Sequence, residues 1–383
     1  MSIRSTLTEK HKRVIGLDIV RATAILIVIY AHGALSLPLS YQAYYYSFLP
    51  AVDGVSIFFV LSGFLIGGIM LKIIESTQFT SKDLLNFWIR RWFRTLPNYF
   101  LVLLLIIAYH LVIFHRPPPR FTWDFVFFFQ NFAWPHPIFF QEAWSLAVEE
   151  WFYLLFPLSY FIINKGIKKK TNALFYCVAF FLLIPLVIRI VKYASGWDLQ
   201  EFDEGYRKIV VFRLDGLMYG IIAAWIYRYK KSFWIRYKYV FLGVGILLAL
   251  ILSFVKDETL KFCPPIYFDI ESVIVLCFMP FFSELNTTGS RFFDGVFEGI
   301  SKLSYALYLI NLTLVTYCFI PSLDNLLGWK NVPIEEIYRY NYIIYWVCCF
   351  AGSAAIYFFY ERHMTPFRDR FNFGSKRPQA TKS

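Results

Sequence analysis

The chain is short of charge and of anything that would build a soluble domain. Only 17% of its 383 residues are Asp, Glu, Lys or Arg, and no hydrophilic stretch is long enough to fold alone. Cysteine is sparse too. Cys177, Cys263, Cys277, Cys318, Cys348 and Cys349 lie mostly within apolar runs and have no metal-ligand spacing. They read as small core residues, which excludes a disulfide framework and a zinc site. No internal repeat is visible. Transporters often carry matching halves with interrupted helices, so this absence weakens that class. Residues 1–13 are polar and basic with no small-residue cleavage site behind them, so a cleavable signal peptide is not expected.

What the chain has in quantity is apolar surface. Hydrophobic residues make up 58% and aromatics 21%, with a mean hydropathy of +0.51, against roughly 45–50% apolar residues in soluble domains. That composition predicts an all-α, polytopic membrane helix bundle. The formal charge is 38 − 26 = +12. The basic residues cluster between apolar runs, the pattern of cytoplasmic loops and not of a nucleic-acid surface.

Apolar segments recur near 15–37, 50–72, 95–114, 144–164, 172–194, 208–227, 238–255, 267–284, 300–320 and 341–360, about ten helices by the rule of roughly 20 residues per crossing. Basic flanks alternate. Lys10–Arg13 precede the first segment; Lys82, Arg90, Arg91 and Arg94 follow the second; Lys165–Lys170 follow the fourth and Arg228–Lys238 the sixth. The positive-inside rule then predicts both termini in the cytoplasm, which an even helix count permits. The expected organisation is a cytoplasmic tail over 1–13, an integral-membrane domain over 14–361 and a basic cytoplasmic tail over 362–383.

Polar residues inside such segments are costly and are functional candidates by default. Asp18, Arg21 and His32 all fall in the first segment. With a helical rise of about 1.5 Å per residue, His32 lies ~8 Å from the outer end of the first helix, Glu149 ~9 Å from that of the fourth, and Arg213 and Asp215 ~8–10 Å from that of the sixth. These residues reach a similar level, as a chamber in the outer half of the membrane requires. On the cytoplasmic side, Arg21 is ~9 Å inside the first helix. Arg91 and Arg94, at i and i+3, share a face on which planar guanidinium groups suit phosphate. A substrate with phosphates inside and a reactive end reaching outward has the shape of an acyl-CoA, taken as co-substrate with no tightly bound cofactor.

Several motifs, in order, resemble membrane acyltransferase family 3. They are LDIVRATAILIVIYAH, with Arg21 and His32; GVSIFFVLSGFLI, from Gly54 to Ile66; RRWFRTLPNY, with Arg91, Arg94 and Pro97; and WSLAVEEWFYLLFP, with Glu149. FRLDGLMYGIIAA, ISKLSYALYLIN and YERHMTPFR extend the likeness across roughly residues 13–370. Two positions depart from the family pattern: Ser56 stands where it commonly has Asp, with Asp53 nearby, and Asn311 where it has His.

The resemblance implies an O-acyltransferase, with an acetyl group the nearer expectation. The acyl group would pass from cytoplasmic acyl-CoA to a hydroxyl of an extracytoplasmic or lipid-linked carbohydrate, in a bacterial cytoplasmic membrane. His32 is then the candidate base and Glu149 the carboxylate that orients it; an acyl-His intermediate is an open alternative. Arg91, Arg94 and Arg21 are the candidate acyl-CoA ligands, and Arg213, Asp215 and Asp53 the candidate acceptor contacts. Structural roles stand beside each. Glu149 would be an ion pair with Arg213, Asp18 would pair with Arg21, and Ser62 and Gly63 would serve close helix packing. The rival function is a transporter using the same residues as a proton or substrate path.

Overall fold

The computed structural model describes residues 13–76, 79–118, 121–167, 170–196, 202–262, 264–329 and 332–364. Most of the two expected tails, with Lys10–Lys12 and residues 365–383, lies outside them.

The described chain is helical, with no strand among the described residues. The helices run α1 (Ile15–Gly33), α2 (Leu39–Tyr46), α3 (Gly54–Ser76), α4 (Ser81–Phe114), α5 (Asp124–Phe127), α6 (Ala143–Gly166), α7 (Lys170–Ala194), α8 (Asp215–Tyr229), α9 (Lys231–Arg236), α10 (Lys238–Phe262), α11 (Tyr267–Phe282), α12 (Arg291–Ile310), α13 (Ile320–Leu327) and α14 (Ile334–Ile356). Between α12 and α13 the chain widens into a π-helix over Asn311–Phe319. Nine helical stretches among the described residues are long and apolar enough to cross a membrane. The tenth expected segment, 208–227, is the 15-residue α8.

That short helix packs backbone to backbone against α3. A Cβ at Gly63 would sit 1.9 Å from Leu217 O, and one at Gly220 would sit 2.1 Å from Val60 O. Only glycine lets the two backbones approach this far. The contacts advance together, from Gly63 against Leu217 and Gly220 to Gly67 against Ile221 and Ala224, then to the Arg228–Glu75 ion pair. So α3 and α8 run parallel, and α8 lies where the tenth segment was expected, shorter than the nine stretches that can cross.

The third crossing begins earlier than its apolar run. Thr80 and Asp83 form a capping box, with Asp83 N–H donating to Thr80 Oγ1 at 3.3 Å and Thr80 N–H to Asp83 Oδ2 at 3.0 Å. A 34-residue helix follows, ~51 Å long against a hydrocarbon layer of ~30 Å. Arg91 and Arg94 therefore stand inside a continuous helix and not at its start.

The interior is built by α1, α3, α6, α8, α11 and α12. The outer faces of α4, α7, α10 and α14 expose large apolar residues such as Leu104, Val191, Phe254 and Val347, as lipid-facing helices do.

Candidate active site

His32 lies in the last turn of α1. Its Nδ1 is 2.5 Å from Oδ1 of Asn311, the first residue of the π-helix. The amide nitrogen of Asn311 is already committed, donating to Leu307 O at 3.0 Å and Tyr308 O at 2.7 Å. Its oxygen is thus the atom that meets the imidazole, and an amide oxygen only accepts. Nδ1 must carry the proton, and Nε2 is left with its lone pair.

Glu142, just ahead of α6, holds Asn311 in place. Its Oε1 accepts the backbone N–H groups of Leu312 at 2.8 Å and Thr313 at 2.7 Å, and its Oε2 accepts Thr313 Oγ1–H at 2.5 Å. A π-helix interrupts the i→i−4 ladder and frees such donors. The side chain is 1% exposed, and burial pushes its carboxyl up to about 7 against those hydrogen bonds.

A cavity of about 390 Å³ opens beside the imidazole, lined among others by His32, Asp53, Glu142, Trp144, Arg207 and Tyr308. Arg207 reaches Asp53 Oδ2 at 3.2 Å and Asp203 Oδ1 at 2.8 Å, with its guanidinium 5.0 Å above the Trp144 ring. Burial opposes ionisation of Asp53, yet Arg207 and Arg213 hold it below its ordinary value. Asp53 Oδ1 also accepts the Ser56 N–H at 2.6 Å at the start of α3.

At the departing position, Ser56 Oγ donates to Glu271 Oε2 at 2.7 Å and lies 3.1 Å from Arg213 Nη2. A carboxylate therefore reaches this point from α11 in place of α3.

The remaining expected residues fall elsewhere. Arg213 is buried behind the cavity wall with its guanidinium 3.8 Å from the Phe268 ring. Asp215 forms a 2.5 Å ion pair with Arg189. Arg189 also binds Asp269 at 2.6 Å and the carbonyls of Pro265 and Phe212. Neither Arg213 nor Asp215 lines the cavity. Together with Arg189 they brace α7, α8 and α11.

Glu149 does not orient His32. Its Oε1 accepts Ser62 Oγ–H at 2.8 Å, its Oε2 accepts Tyr153 O–H at 2.9 Å, and Arg91 Nη2 lies 3.9 Å away. Arg91, not Arg213, is its cation, and it donates to the Tyr153 hydroxyl as well. Ser62 is thus a hydrogen-bond donor, while Gly63 alone serves the close packing. Depth along α6 did not decide the partner, because Glu149 faces α3 and α4 while His32 faces α12.

Arg94 has Arg91, Arg21 and Glu149 as electrostatic neighbours, so the three expected arginines do share one region. Asp18 does not hold Arg21. It binds Arg13 at 2.5 and 2.8 Å and accepts from Ser301 Oγ at 2.7 Å, leaving Arg21 with a 3.5 Å contact to Ser301 Oγ.

Sequence reasoning missed Glu142, Arg207, Glu271 and Arg189. Only Glu142 carried a signal, standing two residues before the WSL motif.

This is a membrane-embedded imidazole with a fixed tautomer, above a cluster of arginines, in an all-α bundle. The family described as acyltransferase domain matches residues 14–362, and the chain belongs to it. It is 31% identical over 216 residues to the peptidoglycan O-acetyltransferase OatA of Listeria monocytogenes, covering 51% of this chain and 32% of that protein. It is 31% identical over 208 residues to the putative peptidoglycan O-acetyltransferase YrhL of Bacillus subtilis, covering 50% and 30%. A putative O-acetyltransferase of Staphylococcus aureus is 28% identical over 335 residues, covering 81% and 52%. The chain thus spans a third to a half of the length of these relatives. No solved structure matches it.

Proposed function

We propose that the chain is a membrane O-acetyltransferase that moves an acetyl group from cytoplasmic acetyl-CoA to a hydroxyl of an extracytoplasmic or lipid-linked carbohydrate. The observation that carries this reading is the free Nε2 of His32, fixed by Asn311 and facing the outer cavity. The acceptor hydroxyl would give its proton to Nε2 as its oxygen attacks the thioester carbonyl. The bond to sulfur then breaks, and the proton passes to the departing thiolate. Asn311 orients the ring as an amide does in Cys-His-Asn sites.

Arg91, Arg94 and Arg21 supply the positive charge that the phosphates of coenzyme A call for. In this reading Glu149 holds Arg91 and Tyr153 in place. The carbohydrate class rests on the relatives named for peptidoglycan.

Mass spectrometry of cell-surface glycans with and without the gene tests the reading. A loss of one acetyl group per modified unit is expected, and identical glycans together with absent acetyl-CoA turnover would reject it.

A further inference from the structure

A second cavity of about 300 Å³ lies beyond the first, lined among others by Leu35, Ser36, Thr316, Tyr317, Tyr338 and Asn341. It is adjacent to the catalytic residue. Ser36 follows His32 by four residues, and Tyr317 lines both cavities with its ring half exposed. Its volume is at the low end of small-molecule sites, roughly 300–1,000 Å³.

Two polar atoms in its wall have no partner. Ser36 is 7% exposed and its Oγ makes no hydrogen bond; Asn341 is 5% exposed and its Oδ1 makes none, although its amide nitrogen donates to Asp324 at 2.9 Å. Buried polar atoms without partners are rare and call for a ligand or water.

The lining defines the ligand's chemistry. It contains no carboxylate and no basic side chain, so a phosphate, a lipid headgroup or a second coenzyme has nothing to pair with. An acyl chain would leave Ser36 Oγ and Asn341 Oδ1 unsatisfied. Hydroxyl groups suit both atoms, because they donate to the amide oxygen and either donate to or accept from the serine. Tyr317 and Tyr338 add aromatic surface.

We propose that this cavity is a distal saccharide subsite, which holds the unit next to the one acylated at His32, with Tyr317 between the two. It rests on the carbohydrate-acceptor reading and adds that the acceptor is a neutral oligosaccharide or polymer longer than one unit.

The test uses the purified full chain with acetyl-CoA and two acceptors, N-acetylglucosamine and its β-linked tetramer. Transfer to the tetramer is expected to have the higher kcat/KM, and Ser36→Ala and Asn341→Leu are each expected to lower the tetramer-to-monomer ratio about tenfold. Ser36→Ala removes an atom with no protein partner, so it leaves folding intact. An unmoved ratio in both variants overturns the subsite. Coenzyme A release with no transfer to either sugar defeats the carbohydrate reading, and the subsite with it.

Discussion

Asn311 accepts the Nδ1 proton of His32 at 2.5 Å with an oxygen whose orientation is set by two backbone carbonyls on the far side of the amide. A neutral residue thereby does the orienting, and no carboxylate is hydrogen-bonded to the imidazole among the described residues. The tautomer is fixed, but a protonated ring gains no ion pair from this partner.

Replacing Asn311 with Leu keeps the branched shape of the side chain and removes the acceptor. General-base catalysis contributes about 10²–10⁴-fold, and the tautomer would no longer be fixed. We expect kcat to fall about 10²-fold with KM for acetyl-CoA little changed, as initial-rate kinetics would show. A rise in KM alone would assign Asn311 to binding.

Glu142 acts through backbone groups, so its shape should matter more than its charge. Glu142→Gln can still accept both N–H groups with one oxygen and donate to Thr313 Oγ1 with its amide. We expect it to keep most activity, whereas Glu142→Ala leaves buried donors unpaired, costs about 1–3 kcal/mol and lowers kcat. The folded carboxyl value of about 7 lies above the ordinary 4.5, so between these the folded state binds more proton than the unfolded. Stability should therefore fall as pH rises from 4.5 through 7. Melting curves at pH 5 and pH 8 should show a smaller decline in Glu142→Gln than in the unaltered protein.

Arg91 joins Tyr153 and Glu149 and stands with Arg94 and Arg21. Arg91→Lys loses the planar fork while keeping the charge. A charged hydrogen bond is worth about 1.5–3 kcal/mol, so KM for acetyl-CoA should rise about 10–100-fold with a smaller change in kcat. Equal KM values would remove Arg91 from the coenzyme site.

Arg189 is fully buried between Asp215 and Asp269. Arg189→Met leaves those carboxylates uncompensated, at a cost of about 3–5 kcal/mol. The melting temperature in detergent should drop sharply, and the double variant Arg189→Met with Asp215→Asn should recover part of the loss. No drop would mean the carboxylates are neutral without their cation.

The helical segments were legible because a crossing needs an apolar run of fixed length, and His32 and the arginines because charge in such a run is conspicuous. Partners were less so. Spacing fixes the face and depth of Glu149 along one helix, yet only the arrangement of α3, α4 and α12 decides that it meets Arg91 and not His32. Asn311 stood out as a departure, but its role depends on a π-helix, which periodicity near 3.6 does not reveal. Glu142 has its meaning only through the N–H groups that this π-helix releases. Arg213 and Asp215 read as acceptor contacts because depth was known and the wall between them and the cavity was not.

The most direct measurement is coenzyme A release from acetyl-CoA by purified His32→Ala, with acetyl-CoA binding measured on the same sample. Turnover at least ~10²-fold below the unaltered protein, with binding retained, is the predicted result. Turnover within twofold would contradict the assignment of His32 as the base.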